Sequence, residues 1–360
     1  MTNQNVVIAN EKEPYYYGLD IIRIIAMFLV ITVHATTFYG FSLNAKSSIV
    51  DALVGAGRYI SFACIPLFII LTGYLNSNKE PSWKYFKKIF NFLIEYLLCA
   101  LIIWGFRALV LKETFTVVGV FTKLFNFSLA PYAWYINMFI GLFLITPFLN
   151  ILYKNIKTQN QKKVLIVVLL FILSVPATFK KFAWNYWNVA YPLLFYFIGL
   201  YIKEYQPKFN KAVLILIVVG VALIEALIKM YLSSPLYIAV ESHNNLFCVI
   251  LSTALFLIFY DLHKEQLSNK SGLLRGVANL SLSTFLISYI FEALNSVLFN
   301  SAGLNTFAQR LPHLLYLTPV KFLLSVCVAF LIHNLCKLLL WAIDCLIKKC
   351  KANKEEKTPV

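Results

Sequence analysis

Arg23 and His34 are the residues of this sequence whose types and spacing are best suited to chemistry. They lie eleven positions apart in the apolar run 19–39, so a helix would place them on one face, roughly 16 Å apart along its axis. An ionisable side chain within a membrane helix costs about 2.5–3.5 kcal/mol and therefore indicates function. Free imidazole has a pKa of about 6.5, which suits proton removal from a hydroxyl. The pair predicts a polar cavity with His34 as a general base.

Each of the two residues also has a simpler explanation. Arg23 follows Asp20 by three positions, so the two side chains could form an ion pair while the arginine reaches toward the lipid headgroups. His34 could be a buried imidazole bonded to a threonine or serine of another helix. Those explanations treat the residues singly, whereas a lined cavity also accounts for their shared face.

The composition requires lipid around much of the chain. Hydrophobic residues make up 60% of it and charged residues 13%, against about 45–50% and about 25% in soluble domains. Each apolar run of about 20 residues predicts one transmembrane helix. We therefore predict an all-α polytopic integral membrane protein with about ten transmembrane helices. The predicted spans are 19–39, 57–76, 89–111, 134–153, 164–180, 186–202, 212–230, 245–262, 277–299 and 317–347.

The positive charge follows the predicted topology. The chain carries a net charge of +16, and its lysines and arginines concentrate in every second loop, as expected for cytoplasmic loops. Both termini are therefore predicted to be cytoplasmic, with 1–18 as an N-terminal tail, 19–347 as the ten-helix membrane domain and 348–360 as a basic C-terminal tail. A nucleic-acid-binding protein would instead gather its basic residues on one face of a folded domain.

Several kinds of chemistry have no motif in this sequence. The seven cysteines include no CxxC pair and no zinc spacing, so no metal site is predicted. A P-loop, a GxSxG elbow and an HExxH helix are all missing, which argues against an ATP-driven pump, a serine hydrolase and a metalloprotease. The predicted outside loops are short, the longest being 112–133, so we expect any chemistry to take place among the helices or at their ends.

Other charged residues are weaker candidates. Lys84, Lys87 and Lys88 lie in a predicted cytoplasmic loop, where they could serve topology and anionic lipid or could bind a phosphorylated donor. The acidic and basic residues within later spans could pair across helices or act directly; they are Glu95, Arg107, Glu225 and Glu292. The remaining histidines lie near loops or helix ends, where we expect plain interfacial residues; they are His243, His263, His313 and His333.

Four segments resemble motifs of the integral membrane acyltransferase-3 family. The first span, LDIIRIIAMFLVITVHA, is similar to the family's opening signature, an arginine followed by ten residues and a histidine. The second, CIPLFIILTGYL, resembles its apolar run ending in Ser/Thr-Gly-Tyr-Leu. The fourth, AWYINMFIGLFLITPFLN, resembles its Trp-aromatic run that closes on a proline, and FYFIGLYI at 195–202 resembles a later Gly-Tyr element. The likeness covers residues 18 to 300, and the count of ten spans agrees with it.

The resemblance implies transfer of an acetyl or other acyl group from acyl-CoA to a surface polysaccharide or a lipid-linked glycan. It makes His34 the catalytic histidine and Arg23 its partner in handling the donor. The phosphate end of CoA could then lie beside Arg23 and the predicted cytoplasmic lysines Lys84, Lys87 and Lys88. Further residues would lie on the substrate side; they are Tyr74, Trp134, Tyr135 and Glu292. This sequence departs from the family where Phe291 and Glu292 replace the end of an Ile-Tyr-Leu-x-His element, and where Ala133 replaces a histidine.

Two other classes of function stay open at this point. Ten helices around a polar cavity would also suit a transporter of polysaccharide, lipid-linked oligosaccharide or a small solute. Transporters often contain inverted repeats, and none is visible here. A non-catalytic membrane scaffold would leave the shared face of Arg23 and His34 unexplained. The expected location is the cell membrane, and the excess of lysine over arginine fits an AT-rich bacterial genome.

Overall fold

The computed structural model describes residues 16–44, 46–180, 186–232, 238–263 and 269–355. Within these ranges all regular elements are helices, and one isolated β-bridge joins Phe179 to Ile238. The prediction of an all-α protein is confirmed. The predicted N-terminal tail, apart from its last three residues, lies outside the described residues.

Fifteen α-helices and two short helical turns follow one another along the described chain. The helices are α1 (Tyr17–Phe38), α2 (Ile49–Ser61), α3 (Cys64–Asn76), α4 (Trp83–Phe86), α5 (Lys88–Leu109), α6 (Val117–Phe125), α7 (Trp134–Asn155), α8 (Gln159–Leu173), α9 (Val175–Thr178), α10 (Pro192–Tyr205), α11 (Lys211–Leu227), α12 (Leu246–Phe259), α13 (Asn269–Ala278), α14 (Ser281–Ser301) and α15 (Phe307–Glu355), with a 3₁₀ turn at Asn188–Ala190 and a π turn at Ile228–Leu232. The last helix continues to Glu355, into the segment predicted as a basic C-terminal tail.

Eight helical stretches of the described chain are long and apolar enough to cross a membrane. The predicted spans 186–202 and 245–262 correspond to α10 and α12, which have 14 residues each. A helix of that length extends about 21 Å, less than the roughly 30 Å of a bilayer core. The chain is thus a multi-pass membrane protein, while ten crossings and cytoplasmic termini stay predictions.

The second membrane stretch begins earlier than the apolar run indicated. Ser48 and Asp51 form a capping box, in which each side chain bonds to the backbone N–H of the other, and this satisfies donors at the helix start. The stretch therefore covers Ile49–Asn76 rather than 57–76. As a consequence Arg58, which falls at the very start of the predicted span 57–76, lies in the last turn of α2 and is buried.

Pro66 explains why this stretch breaks into α2 and α3. Proline has no N–H, so in a continuous helix the carbonyl of the residue four positions before it would lose its partner. That residue is Phe62, which lies between the two helices. Its carbonyl oxygen instead accepts hydrogen bonds from His243 Nδ1 at 2.8 Å and from the Cys248 thiol at 3.4 Å. The break therefore attaches the loop before α12 to the middle of the second stretch.

Two glycines allow α3 and α10 to pack with their backbones in contact. A Cβ atom on Gly73 would overlap the carbonyl oxygen of Tyr196, and one on Gly199 would overlap that of Ile70. Small residues at helix contacts permit this close approach in membranes. Asn150 of α7 joins the same group, because it accepts a hydrogen bond from the Tyr196 hydroxyl at 2.7 Å. The motif segments in α3, α7 and α10 thus meet in one place.

Helix α1 lies at the centre of the fold. It packs against α2, α3 and the helices α12 to α15, and most of its residues from Ile22 to Ala35 are buried or half-buried. Gly18 sits against the backbone of Phe259, where a larger residue would collide. The helix that carries Arg23 and His34 is therefore held on several sides, which fixes the position of its backbone.

Candidate active site

Two neighbouring cavities lie along α1, one lined by Arg23 and the other by His34. The Arg23 cavity has a volume of about 320 Å³, and the His34 cavity has a volume of about 200 Å³. Ile65 and Phe285 line both of them, so the two cavities are separated by these side chains. Arg23 and His34 therefore line two adjacent cavities, and their roles in a reaction stay predictions.

At the first cavity, Arg23 Nη1 donates to Asp20 Oδ1 at 3.2 Å. The ion pair that offered a simpler explanation therefore exists, and Arg23 lines the cavity as well. Asp20 lies 3.9 Å from Arg275 Nε, so this carboxylate has a cation on either side. Glu95, opposite on α5, accepts a hydrogen bond from the Ser283 hydroxyl at 2.5 Å and also lines the cavity. This end of the site contains charges of both signs.

At the second cavity, the ring of His34 stacks on the ring of Tyr132. Their centroids are 3.8 Å apart and their planes differ by 14°. The bond to a threonine or serine of another helix is not present, since no described residue forms a hydrogen bond with either ring nitrogen of His34. Both nitrogens therefore remain available to a molecule in the cavity, while Tyr132 fixes the plane of the ring.

His243 is a second histidine in the same cavity. Its Nδ1 donates to the Phe62 carbonyl freed by Pro66, and its ring stacks on Trp134 with centroids 5.9 Å apart. Burial lowers the pKa of His243 below its ordinary value, which favours the neutral ring with the proton on Nδ1. The expectation of a plain interfacial residue is wrong for His243, because its ring is held by the backbone carbonyl of Phe62, which is far away in the sequence.

Arg58 forms the wall of the cavity toward the end of α1. Its Nη1 donates to the Val33 carbonyl at 3.0 Å and to the hydroxyls of Thr36 and Thr37 at 2.5 and 2.9 Å. Beyond it, Glu241 Oε1 lies 3.7 Å from Arg58 Nε. Arg58 thus joins α2 to the helical turn that carries His34. Sequence reasoning missed it, because nothing in its local segment distinguishes a loop arginine from a buried one.

The aromatic residues predicted on the substrate side divide among three environments. Tyr135 lines the Arg23 cavity and Trp134 lines the His34 cavity, so the first turn of α7 contributes to both. Tyr74 lines neither; it is buried against Phe256 and Tyr260. The tyrosine of the Thr-Gly-Tyr-Leu motif is therefore a packing residue in this structure.

Glu292 does not line either cavity. Its Oε2 accepts a hydrogen bond from Lys321 Nζ at 2.6 Å, and both side chains are buried between α14 and α15. Lys321 also lies over the ring of Tyr39, 5.0 Å from its centroid. The structure gives Glu292 a structural partner rather than a position facing a substrate.

The three lysines predicted at the donor phosphates are exposed at the junction of α4 and α5. Lys87 lies over the Trp83 ring at 5.8 Å, and none of the three lines the Arg23 cavity. Lys88 nevertheless precedes Phe92 and Glu95 by four and seven positions, so it shares their helix face. Both of those residues line the cavity, which puts Lys88 at its end rather than inside it.

The fold is that of a polytopic membrane protein with two adjacent cavities along its first helix. A family model described as an acyltransferase domain matches residues 16–334, and the chain belongs to this acyltransferase-3 family. It is therefore a membrane acyltransferase. Searches of curated proteins and of solved structures give no match. No group of three or more potential metal-ligating side chains occurs in the described part of the chain.

Proposed function

We propose that this protein moves an acyl group, in the first instance acetyl, from cytoplasmic acyl-CoA to a hydroxyl of a surface polysaccharide or lipid-linked glycan. The observation that carries the proposal is the pair of cavities that meet at Ile65 and Phe285. One contains a cation, Arg23, and the other contains an imidazole with both nitrogens available, His34. The reaction takes place in a bacterial cell membrane, where a cytoplasmic donor and an external acceptor reach the site from opposite ends.

The donor enters at the Arg23 cavity. A thioester donor of this kind ends in phosphate groups, which bind guanidinium and ammonium groups by charge-assisted hydrogen bonds. Arg23 supplies such a group within the cavity, and Lys84, Lys87 and Lys88 supply others outside it. The thioester arm then extends along α1 toward His34, and this requires Phe285 or Ile65 to move aside.

The acceptor hydroxyl is activated at His34. A ring nitrogen takes the hydroxyl proton while the oxygen attacks the thioester carbonyl, so that a C–O bond forms and the C–S bond breaks. The departing thiolate takes the proton from the imidazolium, which returns His34 to its neutral state. Transfer through an acylated protein has the same overall balance, and retention of label on the protein distinguishes it from direct transfer.

The test uses the purified protein in lipid nanodiscs with radiolabelled acetyl-CoA and lipid-linked glycans. Wild type should consume donor and label the glycan. His34→Ala should lower turnover by about 10²–10⁴-fold, the usual contribution of a general base, and Arg23→Ala should raise the KM for donor about tenfold or more, since a charged hydrogen bond is lost. His263→Ala, an exposed histidine outside both cavities, is the matched control.

Two other results would contradict this proposal, and they can be told apart. Normal glycan labelling by His34→Ala, at equal protein level and insertion, would overturn the role of His34. If wild type consumes neither acetyl-CoA nor a longer acyl-CoA, yet moves glycan across proteoliposomes, the transporter alternative replaces acyl transfer to glycans.

A further inference from the structure

Arg58 has unused hydrogen-bonding capacity within the His34 cavity. The side chain is 8% exposed and lines the cavity. All three of its hydrogen bonds leave from Nη1, and Nε is buried with no hydrogen-bond partner in the described structure. A buried donor without a partner is destabilising, so a ligand that bonds to it is favoured. The edge formed by Nε and Nη2 is the side of a guanidinium that binds carboxylate or phosphate with two parallel bonds.

Glu241 faces that edge at a distance too long for a hydrogen bond. Its Oε1 is 3.7 Å from Arg58 Nε, and its Oε2 is 3.7 Å from Lys229 Nζ. Arg58 and Lys229 thus both face the same carboxylate. The carboxylate belongs to the loop before α12 and a third of its side chain is exposed. It can therefore swing away without disturbing a helix.

We propose that the acceptor carries an oxyanion, either a carboxylate or a phosphate, and that Arg58 and Lys229 bind it in the position that Glu241 now occupies. This inference rests on the proposed function, since it describes the acceptor of the same site. Neither Glu241 nor Lys229 lines the His34 cavity, so the oxyanion would bind beside the cavity. The rest of the acceptor would extend past Arg58 toward His34, with Trp134 as an apolar surface beside it. The cavity of about 200 Å³ is smaller than ordinary ligand pockets of about 300–1,000 Å³, so only the end of a glycan enters.

The sharpest test compares two substitutions with opposite expected effects. Glu241→Gln removes the carboxylate that competes with the ligand, so the KM for a charged acceptor should fall about two- to fivefold, the range of a partly exposed ion pair. Lys229→Gln removes one of the cations, so the same KM should rise by a similar factor. Lys46→Gln, an exposed lysine in the loop between α1 and α2, is the matched control and should change neither.

Three acceptors with one sugar skeleton identify the oxyanion: methyl glucoside, methyl glucuronide and glucose 1-phosphate. The neutral glucoside should have the same KM in wild type and in all three variants. A preference for the glucuronide assigns a carboxylate, and a preference for the glucose phosphate assigns a phosphate. Arg58→Lys, which keeps the charge but not the two-pronged edge, should lose this preference if the purified variant remains folded.

The proposal is overturned if Glu241→Gln raises the KM for charged acceptors, because Glu241 would then be a ligand or a structural partner. It is also overturned if wild type shows no preference for either charged acceptor. Calorimetric binding of the two charged sugars to wild type and Glu241→Gln, without donor, is the second measurement. Charged sugars that bind while no donor is ever consumed would reject the proposed acyl transfer and keep the oxyanion site. Donor consumption with neutral acceptors alone would keep the proposed acyl transfer and reject the oxyanion site.

Discussion

The imidazole of His34 lies face to face with the ring of Tyr132, their centroids 3.8 Å apart. The ring of Tyr132 also stacks on the ring of Phe285 and contacts the ring of Tyr289 edge to face. An imidazole with no hydrogen bond to the protein would otherwise rotate about its side-chain bonds. The aromatic stack therefore does for His34 what a carboxylate does for histidines in many hydrolases: it fixes the plane of the ring.

Replacement of Tyr132 by alanine should lower kcat for glycan acylation by about tenfold or more, because misplacement of a catalytic group by about 1 Å can cost on the order of 10²-fold. Tyr132→Phe is the control. The hydroxyl of Tyr132 is buried without a hydrogen-bond partner in the described structure, so its loss should leave kcat within about twofold, since the stacked ring remains. Equal losses in the two variants would show that the hydroxyl, not the stack, matters.

The close contact of α3 and α10 predicts that larger residues at its two glycines destabilise the protein. Gly73→Ala and Gly199→Ala should each destabilise the protein by about 1–3 kcal/mol, the usual cost of overpacking, because the added methyl group would collide with a backbone carbonyl. Gly141→Ala, with open space around its Cβ position, is the control and should be neutral or slightly stabilising. Thermal unfolding in detergent provides the measurement, and equal Tm values for the three variants would contradict the close approach.

Much of this fold and part of the site follow from sequence. Helical periodicity alone places Arg23 and His34 on one face, and the apolar runs predict the long helices, since both depend on local spacing. The depth of Arg58 could not be predicted in that way, because its burial depends on a capping box ten residues earlier and on the hydroxyls of another helix. The position of His243 depends on a carbonyl freed by a proline about 180 positions away in the chain. Tyr132 lies in a short loop, and its position depends on ring contacts with Phe285 and Tyr289, which are more than 150 positions away in the chain.

The buried ion pair of Glu292 and Lys321 allows a structural role of Glu292 to be distinguished from a catalytic one. Removing one partner of a buried ion pair costs about 3–5 kcal/mol, while an apolar or neutral replacement of both is often tolerated. Glu292→Gln alone should therefore lower the Tm, and Glu292→Gln combined with Lys321→Met should restore most of it. Acylation activity should return together with stability. A stable double variant that stays inactive would instead support the predicted substrate-side role of Glu292.

Pro66 offers a test of how the helix break supports the site. Pro66→Ala supplies the N–H that the Phe62 carbonyl lacks, so the helix can close and compete with His243 for that oxygen. His243 should then lose its fixed position beside Trp134. Because both residues line the His34 cavity, where the acceptor hydroxyl is proposed to bind, the KM for the acceptor should rise. The KM for the donor should stay within about twofold, since the Arg23 side chain is unchanged. Pro192→Ala, at the first turn of α10, is the control, because a proline there replaces no helical hydrogen bond. If Pro66→Ala changes the donor KM and leaves the acceptor KM unaltered, the break serves the Arg23 cavity, and His243 has no part in holding the acceptor.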